Sequence, residues 1–279
     1  MKTEFTKMQG LGNDYIYVNG FTNQIGQEKK SELAKQLSDR HFGIGSDGLI
    51  FINPSEIADF EMEMYNADGS RSEMCGNGIR CVAKYVFDHG MSDRREFTIE
   101  SMGAIKKIRI MNEGDRAESV RVDMGAPILK AEEIPVLSSS DPVIGEPINV
   151  DGTLYHMTCV SMGNPHAVIF EDPDQIDLHG IGQLIEHHEV FPNRTNVEFV
   201  RIIDRNNVRM RVWERGTGET FACGTGCCAT AVACILNGYT DREVNVHVLG
   251  GELNILWAED DHVYMTGPAV TVFDGIVEI

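Results

Sequence analysis

The sequence is short of positive charge and has no long apolar run. Its 279 residues include 24 Lys and Arg against 43 Asp and Glu, which gives a net charge of -19. Binding to a phosphate backbone needs clustered Lys and Arg, and because no basic run occurs here we expect no nucleic-acid partner. No stretch approaches the roughly 20 apolar residues that span a bilayer, so we expect no membrane partner. Residues 1–5 lack the apolar core of a signal peptide, and we therefore expect a cytoplasmic protein.

Cysteine is present in an odd number. In a chain expected in a reducing compartment, seven Cys residues indicate free thiols rather than a disulfide framework. A length of 279 residues with 42% apolar side chains suits two soluble domains of ordinary size, each with its own core. The thiols are therefore candidates for chemistry rather than for cross-linking.

Two of the cysteines lie in copies of one motif. Met74-Cys75-Gly76-Asn77-Gly78 and Ala222-Cys223-Gly224-Thr225-Gly226 are separated by 148 positions. The same offset relates residues on either side of the motifs: Met62, Tyr65, Asn66 and Ala83 correspond to Met210, Trp213, Glu214 and Ala231. Matching segments in the same order predict two similar domains with a cleft between them. One thiol lies in each half, and we expect the two to face each other across that cleft.

The local pattern is the same in both halves. Residues 60–64 and 208–212 alternate polar and apolar side chains, which is typical of half-buried strands. After each cysteine the apolar residues recur at helical spacing, and His89-Gly90 and Asn237-Gly238 then supply helix stops. Each half is thus predicted to run from strand to turn, Cys-Gly-x-Gly, buried helix and hairpin. Residues 130–147 are predicted to form a loop, and the whole chain a mixed α+β architecture.

The position of both cysteines at a predicted helix N-terminus suggests acid-base chemistry. The partial positive charge of the helix end stabilises a thiolate, which is then a usable base. The N–H groups of the first turn can bind a carboxylate, and the glycines allow it to approach closely. With one sulfur as thiolate and the other as thiol, a carbon acid between them can lose a proton on one face and regain it on the other. The pattern therefore favours racemisation or epimerisation without a cofactor; packed structural thiols are the alternative.

The motifs resemble those of the diaminopimelate epimerase family over nearly the whole chain. The segments that carry the resemblance are Gly10-Leu11-Gly12-Asn13-Asp14, His41-Phe42-Gly43-Ile44-Gly45, Asn66-Ala67-Asp68-Gly69-Ser70, Gly163-Asn164-Pro165-His166, Glu214-Arg215-Gly216 and the two cysteine motifs. The resemblance implies an α+β fold of two pseudo-symmetric domains, each of mixed β-sheet wrapped around a central helix, with the active site in the interdomain cleft. The first domain is expected to comprise residues 1–119 and about 267–279, and the second residues 120–266.

The resemblance also implies an isomerase that interconverts LL- and meso-diaminopimelate in lysine and peptidoglycan precursor biosynthesis. It implies a homodimer, with no cofactor and no metal. Cys75 and Cys223 are its expected acid/base pair, with His166 and Glu214 adjusting which sulfur is ionised. The residues implied in substrate binding are Asn13, Asn66, Gly76, Asn77, Asn164, Asn196, Glu214, Arg215, Gly224 and Thr225.

Three alternatives stay open at the level of sequence. Proline racemases are similar in having two cysteines on such a fold, although the segments 66–70 and 214–216 favour diaminopimelate. A non-catalytic amino acid binding module explains the glycines but not the paired thiols. A zinc site is disfavoured because the cysteines that would form it lie in one predicted helix and not on paired Cys-x2-Cys knuckles; they are Cys223, Cys227, Cys228 and Cys234. Gly48 stands where some relatives carry glutamine, so we assign it no role.

Overall fold

The computed structural model describes residues 2–72 and 75–278, so Met74 of the first motif lies outside the described part. The chain forms two compact units. Unit 1 comprises residues 1–122 and 267–279, and unit 2 comprises residues 123–266. Both units contain strands and helices, which confirms the predicted α+β class.

The described residues form eighteen strands and four helices, numbered in chain order. The first part of the chain contains β1 (Lys2–Gly10), β2 (Asn13–Asn19), α1 (Gln27–Ser38), β3 (Gly48–Asn53), β4 (Phe60–Asn66), β5 (Arg71–Ser72), α2 (Gly76–Asp88), β6 (Glu96–Ser101), β7 (Ala104–Ile110) and β8 (Ser119–Gly125). The remainder contains β9 (Glu146–Val150), β10 (Thr153–Ser161), β11 (Pro165–Ile169), α3 (Leu178–Glu186), β12 (Asn196–Asp204), β13 (Asn207–Glu214), β14 (Gly218–Thr220), α4 (Gly224–Leu236), β15 (Glu243–Val248), β16 (Gly251–Trp257), β17 (Val263–Pro268) and β18 (Val270–Glu278).

The strand pairings of unit 1 are repeated in unit 2. β2 pairs in parallel with β3, and β11 pairs in parallel with β12. β3 and β12 then pair antiparallel with β4 and β13, which in turn pair in parallel with β6 and β15. The register repeats as well, because Ile50 lies opposite Met64 and Glu198 lies opposite Val212, each pair shifted by the offset of 148. The internal repeat predicted from the motifs is therefore present in the register of the strands.

The first strand of each repeat has one further antiparallel neighbour. In unit 2, β10 pairs with β9, which directly precedes it in the chain. In unit 1, β1 pairs with β18, the last strand of the chain. The same place in the repeat is thus filled by a neighbouring segment in one unit and by the distant C-terminal segment in the other.

Helices α2 and α4 begin at the two cysteines. Cys75 and Cys223 are the N-caps: each has an extended backbone, and each sulfur accepts a hydrogen bond from the backbone N–H three residues further on. An N-cap side chain of this kind satisfies one of the N–H groups that a helix leaves unbonded in its first turn. Gly90 and Gly238, just after the C-caps, have positive φ, which glycine adopts without strain. The predicted helices and their stops are confirmed.

Both of these helices are buried against strands of their own unit. α2 packs against β1 and β2, and α4 packs against β10 and β16. Most of α4 from Gly224 to Cys234 is buried, as expected of a helix built largely from Ala, Val, Cys and Thr. Among the described residues, none of the helices is long and apolar enough to cross a membrane.

The predicted loop at residues 130–147 is confirmed over most of its length. Residues 130–145 adopt turns and irregular structure, whereas Glu146 and Pro147 already belong to β9. The prediction was wrong for these two residues because Glu146 pairs with Met157 of β10, a partner that the local composition does not reveal.

Candidate active site

In unit 1 the Cys75 sulfur lies at the first turn of α2. It accepts a hydrogen bond from the Gly78 N–H at 3.2 Å, and the thiol donates to Asn13 Oδ1 at 3.2 Å. Asn13 follows the turn between β1 and β2, and its Nδ2 donates to Asp47 Oδ2 at 2.8 Å. Because the amide nitrogen is engaged by Asp47, the Asn13 oxygen points to the thiol. The structure thus brings together two of the predicted site residues, Asn13 and Cys75.

The other predicted residues of unit 1 lie at the end of β4 and in the first turn of α2. Asn66 Nδ2 donates to Ser70 Oγ at 3.1 Å. Asn77 is buried, and its Oδ1 accepts a hydrogen bond from Arg80 Nη2 at 2.9 Å. Arg80 Nη1 also donates to the Gly76 carbonyl at 2.9 Å. Since the Asn77 side chain is directed to Arg80, it is the backbone of this turn that is placed to bind an anion.

In unit 2 the Cys223 sulfur lies at the first turn of α4. It accepts a hydrogen bond from the Gly226 N–H at 3.4 Å and lies 3.4 Å from Thr225 Oγ1. The residue is only 7% exposed. Glu214 is the last residue of β13, and its carboxyl interacts with Cys223. Burial raises the pKa of Glu214, and its hydrogen bonds with Thr220 and Cys223 oppose this rise.

A buried pair of ionisable side chains lies behind this turn. His166 in β11 and Glu198 in β12 are both fully buried, and His166 Nδ1 lies 2.7 Å from Glu198 Oε1. His166 Nε2 lies 3.0 Å from Oδ1 of Asn164, another predicted site residue. His166 of β11 pairs with Asn196 of β12, and Glu198 lies two residues after Asn196 in β12. The side chains of His166 and Glu198 therefore lie on one face of the sheet.

Burial raises the pKa of the Cys223 thiol well above its ordinary range, and the charges of Glu214 and Glu198 raise it further. Hydrogen bonds from Thr225 and Gly226 act in the opposite direction but do not outweigh these effects. These effects favour the protonated thiol at Cys223. At Cys223 the loss of water and the nearby carboxylates therefore oppose the helix dipole, which by itself favours a thiolate.

The remaining predicted residues of unit 2 lie at the start of β12 and just after β13. Asn196 is buried; its Nδ2 donates to the Pro165 carbonyl at 3.0 Å, and its Oδ1 accepts from the Arg215 N–H at 2.8 Å. The Arg215 guanidinium donates to the Asn193 carbonyl at 3.1 Å, and the residue is exposed. Asn196 thus holds the backbone at Arg215, and the exposed guanidinium is able to bind a carboxylate.

Two residues of these sites were missed by the sequence analysis, Asp47 and Glu198. Glu198 had a signal: the offset of 148 that relates the motifs also relates it to Ile50, so that a carboxylate in one half replaces an apolar residue in the other. Asp47 had none, because its bond to Asn13 joins loops that are distant in sequence.

The other cysteines are buried inside regular elements. Cys81 lies in α2 and Cys159 in β10, and the rest lie in α4: Cys227, Cys228 and Cys234. No disulfide is formed among the residues that the structure describes. Within the same residues, no group of three or more His, Cys, Asp and Glu side chains is arranged to hold a metal ion.

Comparison with known proteins identifies close relatives along the whole chain. The family model described as diaminopimelate epimerase matches residues 5–130 and 158–272. A diaminopimelate epimerase of Methanococcus maripaludis is 57% identical over 99% of this chain and 100% of its own length. The protein of the same name from Acetivibrio thermocellus is 56% identical over 99% of this chain and 98% of its own.

Solved structures with the same fold are much more distant in sequence. A PhzF-family phenazine biosynthesis protein of Bacillus anthracis matches with a TM-score of 0.72 and 17% identity, over 100% of both chains. A hydroxyproline epimerase of Agrobacterium vitis matches with a TM-score of 0.66 and 14% identity, over 99% of this chain and 91% of its own. At such identities the likeness establishes the fold and nothing more.

Proposed function

The chain belongs to the diaminopimelate epimerase family, and we propose that it interconverts LL- and meso-diaminopimelate without a cofactor. The observation that carries the proposal is the pair of cysteines, each the N-cap of a buried helix in its own copy of the repeat. A cysteine that only packs in the core has no reason to occupy the helix N-cap in both copies of the repeat. A two-base reaction does need two such groups, one for each face of the reacting carbon.

In the proposed reaction from LL to meso, Cys75 acts as a thiolate and takes the α-proton, so that the C–H bond breaks and Cys75 becomes a thiol. Cys223 then gives its proton to the opposite face of the carbon and becomes a thiolate. The raised pKa of Cys223 supports its role as the proton donor in this direction. In the reverse direction the two roles exchange, and exchange with solvent returns the enzyme to its starting state.

The negative charge that develops on the substrate needs stabilisation by fixed donors. The first-turn N–H groups of α2 and α4 suit this role, those of Gly76 and Asn77 in one unit and of Gly224 and Thr225 in the other. A helix leaves these groups without intrahelical partners. The same N–H groups bind the carboxylate beside the reacting carbon in this proposal.

The far end of the substrate is a second amino acid group, and it needs partners of its own. Arg215 is proposed to bind the remote carboxylate, since a guanidinium forms bidentate bonds with it. Glu214 is proposed to accept from the remote ammonium group. The amides of three asparagines are proposed to supply selectivity, because a shorter amino acid would form fewer hydrogen bonds with them: Asn13, Asn66 and Asn164. Asn196 supports this set by holding Arg215.

The test is incubation of the purified, reduced protein with LL-diaminopimelate, followed by chiral separation. We expect the meso form to accumulate without added pyridoxal phosphate or metal. L-proline and trans-4-hydroxy-L-proline serve as alternative substrates in parallel samples. Turnover of proline alone contradicts the proposed substrate, and binding of LL-diaminopimelate without conversion contradicts the proposed enzyme activity in favour of a binding module.

Replacing Glu214 by glutamine tests its role beside Cys223. Burial and the charge of Glu214 raise the pKa of Cys223, so removing that charge is expected to lower it. In the direction from LL to meso, the alkaline limb of the kcat profile should move to lower pH, because Cys223 loses its proton at a lower pH than in the wild type. The control is Glu219→Gln, which removes a carboxylate bound to Arg211 instead. A Glu214→Gln profile that coincides with the wild type rules out the role.

The family resemblance also leads us to propose a homodimer that acts in the cytoplasm. Size-exclusion chromatography with light scattering tests the assembly, and a mass equal to one chain at working concentration contradicts it.

A further inference from the structure

The two copies of the repeat place different side chains beside their thiols. The pairing of Tyr15 with Gly48 in unit 1 corresponds to the pairing of His166 with Asn196 in unit 2. Two residues further along the second strand of each pair stand Ile50 and Glu198, which occupy the same register opposite Met64 and Val212. A position that is apolar in one unit is therefore a carboxylic acid in the other.

The surroundings of the two helix N-termini confirm this correspondence. A Cβ atom added at Gly78 would lie 3.0 Å from Ile50 Cδ1 and 3.5 Å from Cys75 Sγ. A Cβ atom added at Gly226 would lie 2.8 Å from Glu198 Oε1 and 3.3 Å from Cys223 Sγ. Ile50 and Glu198 thus reach the same point above the first turn of their helices.

Glu198 is close enough to Cys223 for its charge to act on the sulfur. Since Glu198 Oε1 and Cys223 Sγ both lie within 3.3 Å of one point, they are separated by at most about 6 Å. Glu198 is fully buried, so water does not screen this interaction. Its Oε1 bonds His166 Nδ1, and its Oε2 has no hydrogen-bond partner among the described residues. A buried carboxyl group with one oxygen unsatisfied is costly for stability, which argues for a functional reason to keep it.

We propose that Glu198 is a positioning residue for the reaction: it fixes His166 through Nδ1, and its charge keeps Cys223 as the protonated partner of the two thiols. The proposal rests on the proposed function and extends it, because it identifies a second carboxylate, besides Glu214, that makes the two halves of a symmetric fold chemically unequal. Ile50, which stands at the equivalent position beside the first turn of α2, carries no charge.

The groups around Cys223 and Glu198 come from four elements. Glu214 ends β13, Glu198 lies in β12, His166 lies in β11, and α4 supplies Thr225 and the Gly226 N–H. Burial raises the pKa of Glu198 above its ordinary value, and the charge of His166 and its hydrogen bond oppose this rise. The imidazole is thus the group that favours the charged form of Glu198 in its buried position.

The experiment measures the pH dependence of iodoacetamide alkylation at each cysteine by mass spectrometry. The variants are Glu198→Gln, which keeps the size and the hydrogen-bonding oxygen, and Glu198→Ile, which installs the residue of the equivalent position. The control is Glu146→Gln, a half-buried carboxyl in β9 that bonds Ser138. Alkylation of Cys75 in the same samples is the internal reference, and circular dichroism checks the fold. With LL-diaminopimelate, the kcat profile is recorded for each variant.

The midpoint of Cys223 alkylation is expected to fall by about one to two pH units in Glu198→Gln, with Cys75 and the Glu146→Gln control unchanged. The alkaline limb of the kcat profile should move to lower pH by a similar amount. An unchanged Cys223 midpoint in folded Glu198→Gln overturns the proposal, even where activity is lost, since that loss would then be structural. If Glu198→Ile does not fold, Glu198→Gln alone decides. If the Cys223 midpoint shifts in Glu198→Gln but the wild type does not convert diaminopimelate, the effect of Glu198 on the thiol stands and the proposed function is overturned.

Discussion

Replacing either Cys75 or Cys223 with alanine is expected to lower kcat for diaminopimelate epimerisation by about 10³-fold or more, since positioned acid-base groups contribute roughly 10²- to 10⁴-fold each. Each substitution removes one of the two groups that the reaction needs, one to break the C–H bond and one to form it. Both residues are N-caps, and the hydrogen bonds that their sulfurs accept from the Gly78 and Gly226 N–H groups are weak, so the alanine variants should still fold.

The matched control is Cys234→Ala, because Cys234 is buried in the same helix as Cys223 and lies about three turns from its N-terminus. Activity should be retained there. Initial rates with LL- and with meso-diaminopimelate give the comparison in both directions. A Cys223→Ala protein that keeps more than a tenth of the wild-type rate would contradict the assignment of Cys223 as an obligatory acid/base group.

Replacing Lys30 with methionine is expected to destabilise unit 1 by about 3–5 kcal/mol, which is the usual cost of leaving a buried charge without its partner. Lys30 Nζ lies 2.5 Å from Glu63 Oε2, and both residues are buried between α1 and β4. Gln27 and Tyr65 also donate to Glu63, each at 2.7 Å. These donors are neutral, and the Arg71 guanidinium lies 3.9 Å from Glu63 Oε1, too far to replace the close cation. Urea unfolding followed by circular dichroism measures the loss of stability.

The loss should depend on pH in a defined direction. Although burial raises the pKa of Glu63, the hydrogen bonds from Lys30, Gln27 and Tyr65 lower it from 4.5 to about 2. A lowered pKa in the folded state contributes stability that is complete above pH 4.5 and disappears as the pH falls towards 2. The difference between wild type and Lys30→Met should therefore shrink over that window.

Two further variants separate the buried pair from general effects of losing a lysine. Lys30→Met combined with Glu63→Gln should recover much of the stability, because neither charge is then left unpaired. Lys130→Met, which removes a half-exposed lysine paired with Glu132 and Glu133, should cost under about 1 kcal/mol. Equal losses for Lys30→Met and Lys130→Met would contradict the role of the buried pair.

The repeated part of the fold can be predicted from the sequence because each of its elements has a recognisable pattern of neighbouring residues. Alternation marks β4 and β13, helical spacing marks α2 and α4, and glycine marks their ends. Each of these signals comes from residues within one turn or one strand of each other. The offset between the two motifs then relates the two units without any knowledge of their contacts.

The electrostatics of the site could not be predicted in the same way. A cysteine before a glycine-rich turn indicates a helix N-cap, and an N-cap alone favours a thiolate. At Cys223 this preference is opposed by burial and by Glu198 and Glu214, which two different strands bring to the sulfur. The place of β18 beside β1 is equally non-local, since the pairing joins the two ends of the chain.

The most direct test of the two-base account is the fate of deuterium in the first few per cent of conversion of LL-diaminopimelate in D2O. If Cys75 removes the proton and Cys223 supplies another from the opposite face, the early meso product carries one solvent deuterium at the inverted carbon, and the recovered LL substrate carries none. Chiral separation followed by mass spectrometry measures the deuterium content of the meso product and of the recovered LL substrate. A meso product that retains the original proton, or LL substrate that gains deuterium as fast as product forms, would mean that one base serves both faces and would contradict the account.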